Sequence, residues 1–187
     1  MVHNALLVMD VQRDIVDIAD DGSGYLSRLG KAIEGARAAG IPVIYVVIAV
    51  RPDIPDVSER NKVLTAAVRD GLFAEGAHGT GIHDDVAPRE GDIVVTKRRG
   101  SAFSGSDLDL VLRARGIEGL VLTGIATSGV VLHTALQATD LDLALTVLPD
   151  ACLDTDPEVH RFLIEKLFPR WADIVPVDDW VASVASR

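Results

Sequence analysis

Ala5-Leu-Leu-Val-Met-Asp10 is the stretch whose reading decides the fold. Five apolar residues in a row, with no polar alternation, read as a strand covered on both faces. The run stops at a carboxylate, well short of the roughly 20 residues that cross a bilayer. Apolar runs rich in Val, Ile and Leu return at residues 43–50, 92–96, 120–123, 143–148 and 173–177. Helical spacing fills the gaps. Residues 26–39 place Leu26, Leu29, Ile33 and Ala36 three and four apart and stop at Gly40. Residues 107–115 follow the N-cap candidate Ser106 and end before Gly116. Residues 130–138 and 157–167 are also helical, the latter with Asp156 as N-cap and Pro157 at the first helical position. Strand then helix, repeated, predicts an α/β fold. Its form is a three-layer αβα single domain over residues 1–187, with an open, mostly parallel, Rossmann-like sheet of about six strands.

Composition narrows the function. The 187 residues carry 18 Lys and Arg against 28 Asp and Glu, a net charge of −10. That balance argues against a general binder of nucleic-acid phosphates, which needs clustered cations. Cys152 is the one cysteine, so an intramolecular disulfide or a paired-cysteine metal site is excluded. The opening residues show no cationic leader or cleavage site, and the expectation is a cytoplasmic protein that takes a small-molecule substrate and engages neither nucleic acid nor membrane.

Open parallel sheets bind ligands beyond the carboxyl ends of their strands. Asp10 ends the first strand and Lys97 the third, and each is costly to bury alone. If the two strands lie close, the two charges meet at the sheet edge, either as catalytic groups or as a structural ion pair. Gly124-Ile-Ala-Thr-Ser-Gly-Val130 joins a strand to a helix. Its backbone N–H groups suit an oxyanion, or else its glycines merely allow close packing. No GxGxxG or Walker motif is present, so no nucleotide fingerprint exists. Residues 51–91, rich in Gly, Pro and charge, predict a flap with a short helix at 60–69.

Leu7-Val-Met-Asp-Val-Gln12, Val95-Thr-Lys97 and Leu122-Thr-Gly-Ile-Ala-Thr127, with Thr134-Ala135 in the next helix, together resemble the isochorismatase-like hydrolases, a superfamily that includes nicotinamidases and related amidohydrolases. The resemblance implies Asp10 and Lys97 as catalytic residues, a non-proline cis peptide at Ile125–Ala126, and an oxyanion role for the N–H groups of Ala126 and Val130. It also implies a cysteine nucleophile six residues after Gly124, but Val130 stands there and has no nucleophilic atom. Isochorismatases proper work without that cysteine. On their pattern Asp10 is a general acid in an apolar cradle of Leu7, Met9 and Val130, and burial must outweigh the pull of Lys97 to keep it protonated. The reaction is then vinyl-ether hydrolysis of an isochorismate-type anion.

Candidate substrate-binding residues are Gln12, Arg51, Arg98, Phe103, Thr127, Ser128 and Gly129, with Arg99 beside them. For the arginines the alternative is a solvated face, for Gln12 a bond to nearby backbone, and for Phe103 simple packing. Nicotinamidases carry metal-binding Asp and His residues just after the second strand. Here Val50-Arg51-Pro-Asp-Ile54 has no histidine, so neither a metal nor another cofactor is expected. His78 and His83, five apart with Asp84 and Asp85 following, fall in the flap, and His133 reads as a helix-packing or interface residue. The family often forms homodimers or homotetramers. Two other readings stay open: an inactive relative that binds a ligand or assembles with partners, and an amidohydrolase that recruits Ser128 or Cys152.

Overall fold

A computed structural model describes residues 3–19 and 22–186. Six parallel strands form one sheet in the order β3-β2-β1-β4-β5-β6. The strands are β1 (Asn4–Met9), β2 (Val43–Ile48), β3 (Ile93–Lys97), β4 (Gly119–Ile125), β5 (Ala144–Leu153) and the two-residue edge β6 (Asp173–Ile174). β1 and β4 lie at the centre, fully or almost fully buried, as their unbroken apolar runs require. Two core clusters cover the two faces. One holds Leu7, Met9, Leu122 and Val147, and the other Leu6, Val8, Val121 and Leu148, so alternate residues of each strand go to opposite sides.

The helices are α1 (Arg13–Ala19), α2 (Tyr25–Ala38), α3 (Lys62–Arg69), α4 (Leu108–Ala114), α5 (Leu132–Asp140), α6 (Pro157–Phe162) and α7 (Val177–Ala185). Asp156 caps α6 as the sequence predicts, its Oδ1 accepting from the N–H groups of Glu158 and Val159 at 3.0 and 3.2 Å. A wider π turn at Leu163–Leu167 continues that helix. Asn61 caps α3, accepting from the Leu64 N–H at 3.0 Å.

Three expectations need correction, and one helix lies outside them. The helix expected to begin at Val130 starts at Leu132, after a π turn at Thr127–Val131 in which Gly129 leaves helical geometry. Asp107 occupies the N-cap position of α4 without a side-chain cap bond, and Ser106, one residue earlier, accepts the Leu108 N–H through its Oγ at 3.4 Å while donating to the Ala102 carbonyl at 2.6 Å. The last apolar run pairs over two residues only, and Val177 begins α7 rather than ending a strand. Helix α1, beyond those that the spacing predicts, follows Gln12 directly.

Candidate active site

The site sits where β1, β3 and β4 end. Gly124 makes this edge possible: at φ 142° it lies against β1 so closely that a Cβ would stand 2.2 Å from the Met9 carbonyl oxygen. Asp10 follows β1 with φ 55°, a left-handed conformation that costs a non-glycine residue on the order of 1–3 kcal/mol and persists where its surroundings hold it. Its N–H donates to the Val46 carbonyl at 2.8 Å.

Lys97 reaches across the end of β2. Its Nζ donates to Asp10 Oδ2 at 2.9 Å and to the Arg99 carbonyl at 2.8 Å, and the lysine side chain is 1% exposed. Burial pushes the Asp10 carboxyl up to about 6, winning against the charge and hydrogen bond of Lys97, which pull it down. The other carboxyl oxygen, Oδ1, is buried with no hydrogen-bond partner.

Asp10 and Lys97 line a cavity of about 380 Å³. Ala126, Gly129 and Val130 line it from the turn after β4, with Arg99 and His133 beside them. Asn61, Val63, Leu64, Leu72 and Phe73 come from the segment between β2 and β3, which covers the site as the sequence predicts. The Ile125–Ala126 peptide bond is cis, as the resemblance implies.

Other candidates fall elsewhere. Gln12 is 1% exposed and spent on backbone. Its Oε1 accepts the Ile48 N–H at 2.8 Å, and its Nε2 donates to the carbonyls of Ile48 and Thr80 at 2.9 and 2.7 Å. It ties the end of β2 to the flap and has no donor left for substrate. Arg51 is exposed and pairs with Asp56 at 3.0 Å. Arg98 binds the Ala49 carbonyl at 2.9 Å and Glu75 at 3.2 Å, outside the cavity lining. Phe103 packs against the hydrophobic core, as do Leu7 and Met9, leaving Val130 as the member of the expected cradle that faces the cavity.

Thr127 is buried with its Oγ1 2.8 Å from His160 Nδ1, and Asp154 Oδ2 accepts the Ser128 N–H at 2.7 Å. These two brace the turn from behind, so neither Thr127 nor Ser128 lines the cavity. Burial lowers the His160 pKa, against the opposing charge of Asp154. Cys152 is also absent from this lining. Its thiol lies 3.8 Å from the Leu122 carbonyl, and burial pushes it up to about 12, far from a thiolate.

His133, expected as a helix-packing or interface residue, lines the cavity. Its Nδ1 donates to the Gly129 carbonyl at 2.7 Å, which leaves Nε2 unclaimed by that bond. The signal was available: Gly129 and His133 are four apart, one helical turn after the strand end. His83 Nδ1 accepts the Asp85 N–H at 3.3 Å, and Asp84 pairs with Arg13 at 2.5 Å. Among the described residues, no three of His, Cys, Asp and Glu are grouped to hold a metal ion, and no helix is long and apolar enough to cross a membrane.

Comparison with known proteins agrees with this architecture. Residues 4–179 match the isochorismatase domain family. The ureidoacrylate amidohydrolase RutB of Pseudomonas syringae pv. syringae is 34% identical over 97% of this chain and 81% of its own length. The uncharacterized isochorismatase family protein YecD of Escherichia coli O157:H7 is 32% identical, over 94% of this chain and 93% of its own. Among solved structures, an isochorismatase family protein from Desulfovibrio vulgaris superposes with a TM-score of 0.85 at 29% identity, covering all of both chains. N-carbamoylsarcosine amidase from Thermoplasma acidophilum gives 0.75 at 28% identity, over 95% of this chain and 98% of its own. The chain belongs to the isochorismatase family of hydrolases.

Proposed function

We propose that this hydrolase works without a cysteine, by protonating the enol carbon of a small anionic vinyl ether of the isochorismate type. The observation that carries the reading is the Asp10 carboxyl. One oxygen is held by Lys97, the other is buried without a partner, and the whole group is pushed up to about 6 beside a cavity. Such a carboxyl carries a proton at mildly acidic pH and releases it to a bound carbon base, a role worth about 10²–10⁴ in rate. Protonation of the terminal carbon gives an oxocarbenium ion, water adds to it, and the hemiketal breaks to pyruvate and an alcohol. Lys97 then stabilises the Asp10 carboxylate left behind, and the water returns a proton to it.

A second reading rests on the relatives whose names are amidohydrolases. A thioester route is closed at Val130, and neither Ser128 nor Cys152 lines the cavity. Amide hydrolysis here would instead use ionised Asp10 as a base toward water. Incubation with isochorismate, ureidoacrylate, N-carbamoylsarcosine and nicotinamide separates the two. Pyruvate release supports the acid mechanism, and ammonia release with no pyruvate overturns it.

A further inference from the structure

Asp10, Lys97 and Arg99 are the charged residues among the described residues that line the cavity. The first two pair with each other at 2.9 Å and cancel in charge when Asp10 is ionised. Arg99 does not share this balance. Its Nη1 donates to the Arg98 carbonyl at 2.6 Å, and no described acidic side chain pairs with it. Its neighbours differ: Arg13 pairs with Asp84, Arg51 with Asp56 and Arg98 with Glu75. A half-buried guanidinium among apolar walls is costly unless an anion joins it, and its planar fork fits a carboxylate through two hydrogen bonds. The Arg99 carbonyl also accepts from Lys97 Nζ, so this cation is tied to the catalytic pair.

The rest of the cavity is a greasy lobe. Ile15 and Ile18 supply it from α1, Val63 and Leu64 from α3, and Leu72 and Phe73 from the turn after α3. Ile18 and Val63 are 61% and 83% exposed, large apolar side chains left in water where they line an opening.

We propose that Arg99 anchors the substrate carboxylate and that the α1–α3 lobe holds an apolar body, so that the substrate keeps the enolpyruvyl carboxylate of isochorismate but carries an apolar group in place of its second carboxylate. This assignment rests on the enol-ether reading, which narrows the class to 2-alkoxy- or 2-aryloxyacrylates, CH2=C(OR)COO⁻ with R apolar. The overall change balances as CH2=C(OR)COO⁻ + H2O → CH3COCOO⁻ + ROH. Asp10 gives its proton to CH2, water forms the new C–O bond at C2, and that water returns a proton to Asp10. The hemiketal O–H proton leaves with the OR oxygen as the C–OR bond breaks.

The test uses binding, which is independent of turnover. Calorimetric titration compares trans-cinnamate, its neutral amide and acetate on the wild type, Arg99→Met, Arg99→Lys and Val63→Asp. Cinnamate is expected to bind at least tenfold more tightly than cinnamamide or acetate. Arg99→Met removes the preference for the acid over the amide, and Arg99→Lys, which keeps the charge, retains part of it. Val63→Asp, on a side chain too exposed to threaten folding, weakens cinnamate at least fivefold. Equal affinity for acid and amide, no binding of cinnamate, or an unaltered preference in folded Arg99→Met overturns the proposal. Turnover of 2-phenoxyacrylate is followed separately. Tight cinnamate binding with no pyruvate release defeats the reaction and leaves the anchor standing, and pyruvate release without cinnamate binding does the reverse.

Discussion

Lys97 and Asp10 meet across 2.9 Å at the carboxyl edge of the sheet, and the lysine engages only one of the two carboxyl oxygens. A buried pair satisfied on both sides would be a structural fixture. This one keeps an unpartnered oxygen beside a cavity, and burial outweighs the lysine in setting its proton affinity.

Asp10→Asn keeps an acceptor for Lys97 and loses the transferable proton. Turnover falls by about 10²–10⁴-fold while the circular dichroism spectrum and the cooperativity of melting are retained. Turnover within twofold of wild type excludes Asp10 as the acid.

Lys97→Met leaves Asp10 buried without its cation, a loss on the order of 3–5 kcal/mol when the carboxyl is ionised. Removing Lys97 also takes away the downward pull on that carboxyl, so its folded pKa rises beyond about 6 while the unfolded value stays at 3.8. The folded chain then holds the proton more tightly than the unfolded one. Stability is fully present below about pH 4 and lost as pH climbs through the raised value. Urea titrations at pH 5 and pH 8 check this, with the larger deficit relative to wild type expected at pH 8.

Gln12→Ala strips three hydrogen bonds and leaves the buried Ile48 N–H and carbonyl without their side-chain partners. Its cost appears in chemical denaturation as about 2–4 kcal/mol. Were Gln12 a substrate contact instead, KM would rise with stability unchanged.

Cys152 is buried, protonated and outside the cavity. Iodoacetamide therefore leaves activity intact in the native protein, and Cys152→Ala retains turnover within about twofold. Full inactivation on alkylation would restore the reading in which this cysteine is a displaced nucleophile.

The architecture was legible because it depends on burial, and burial writes itself into short apolar runs. β1 and β4 are covered on both faces and show no alternation, so their placement followed from residue type alone. The Asp10–Lys97 pair was legible for a related reason: a charge ending such a run has few places to go except toward its opposite. Substrate candidates were harder, because strand-end position does not give side-chain direction. Arg98 and Arg99 are adjacent, yet one turns to Glu75 and the other lines the cavity. Gln12 carries a polar amide at the right address and spends it on Ile48 and Thr80, partners 36 and 68 residues away that no local pattern announces. α7 carried a readable signal, with Val177, Trp180 and Val184 on one buried face, but the preceding apolar residues invited a strand.

The account turns most directly on the pH dependence of kcat/KM for pyruvate release from an enolpyruvyl ether, measured with isochorismate and with 2-phenoxyacrylate between pH 5 and pH 8. A protonated Asp10 as donor predicts a plateau below about pH 6 and a tenfold fall per unit above it, absent in Asp10→Asn. A rate that rises through pH 6, as an ionised Asp10 acting on water would give, or no pyruvate release at any pH, contradicts it.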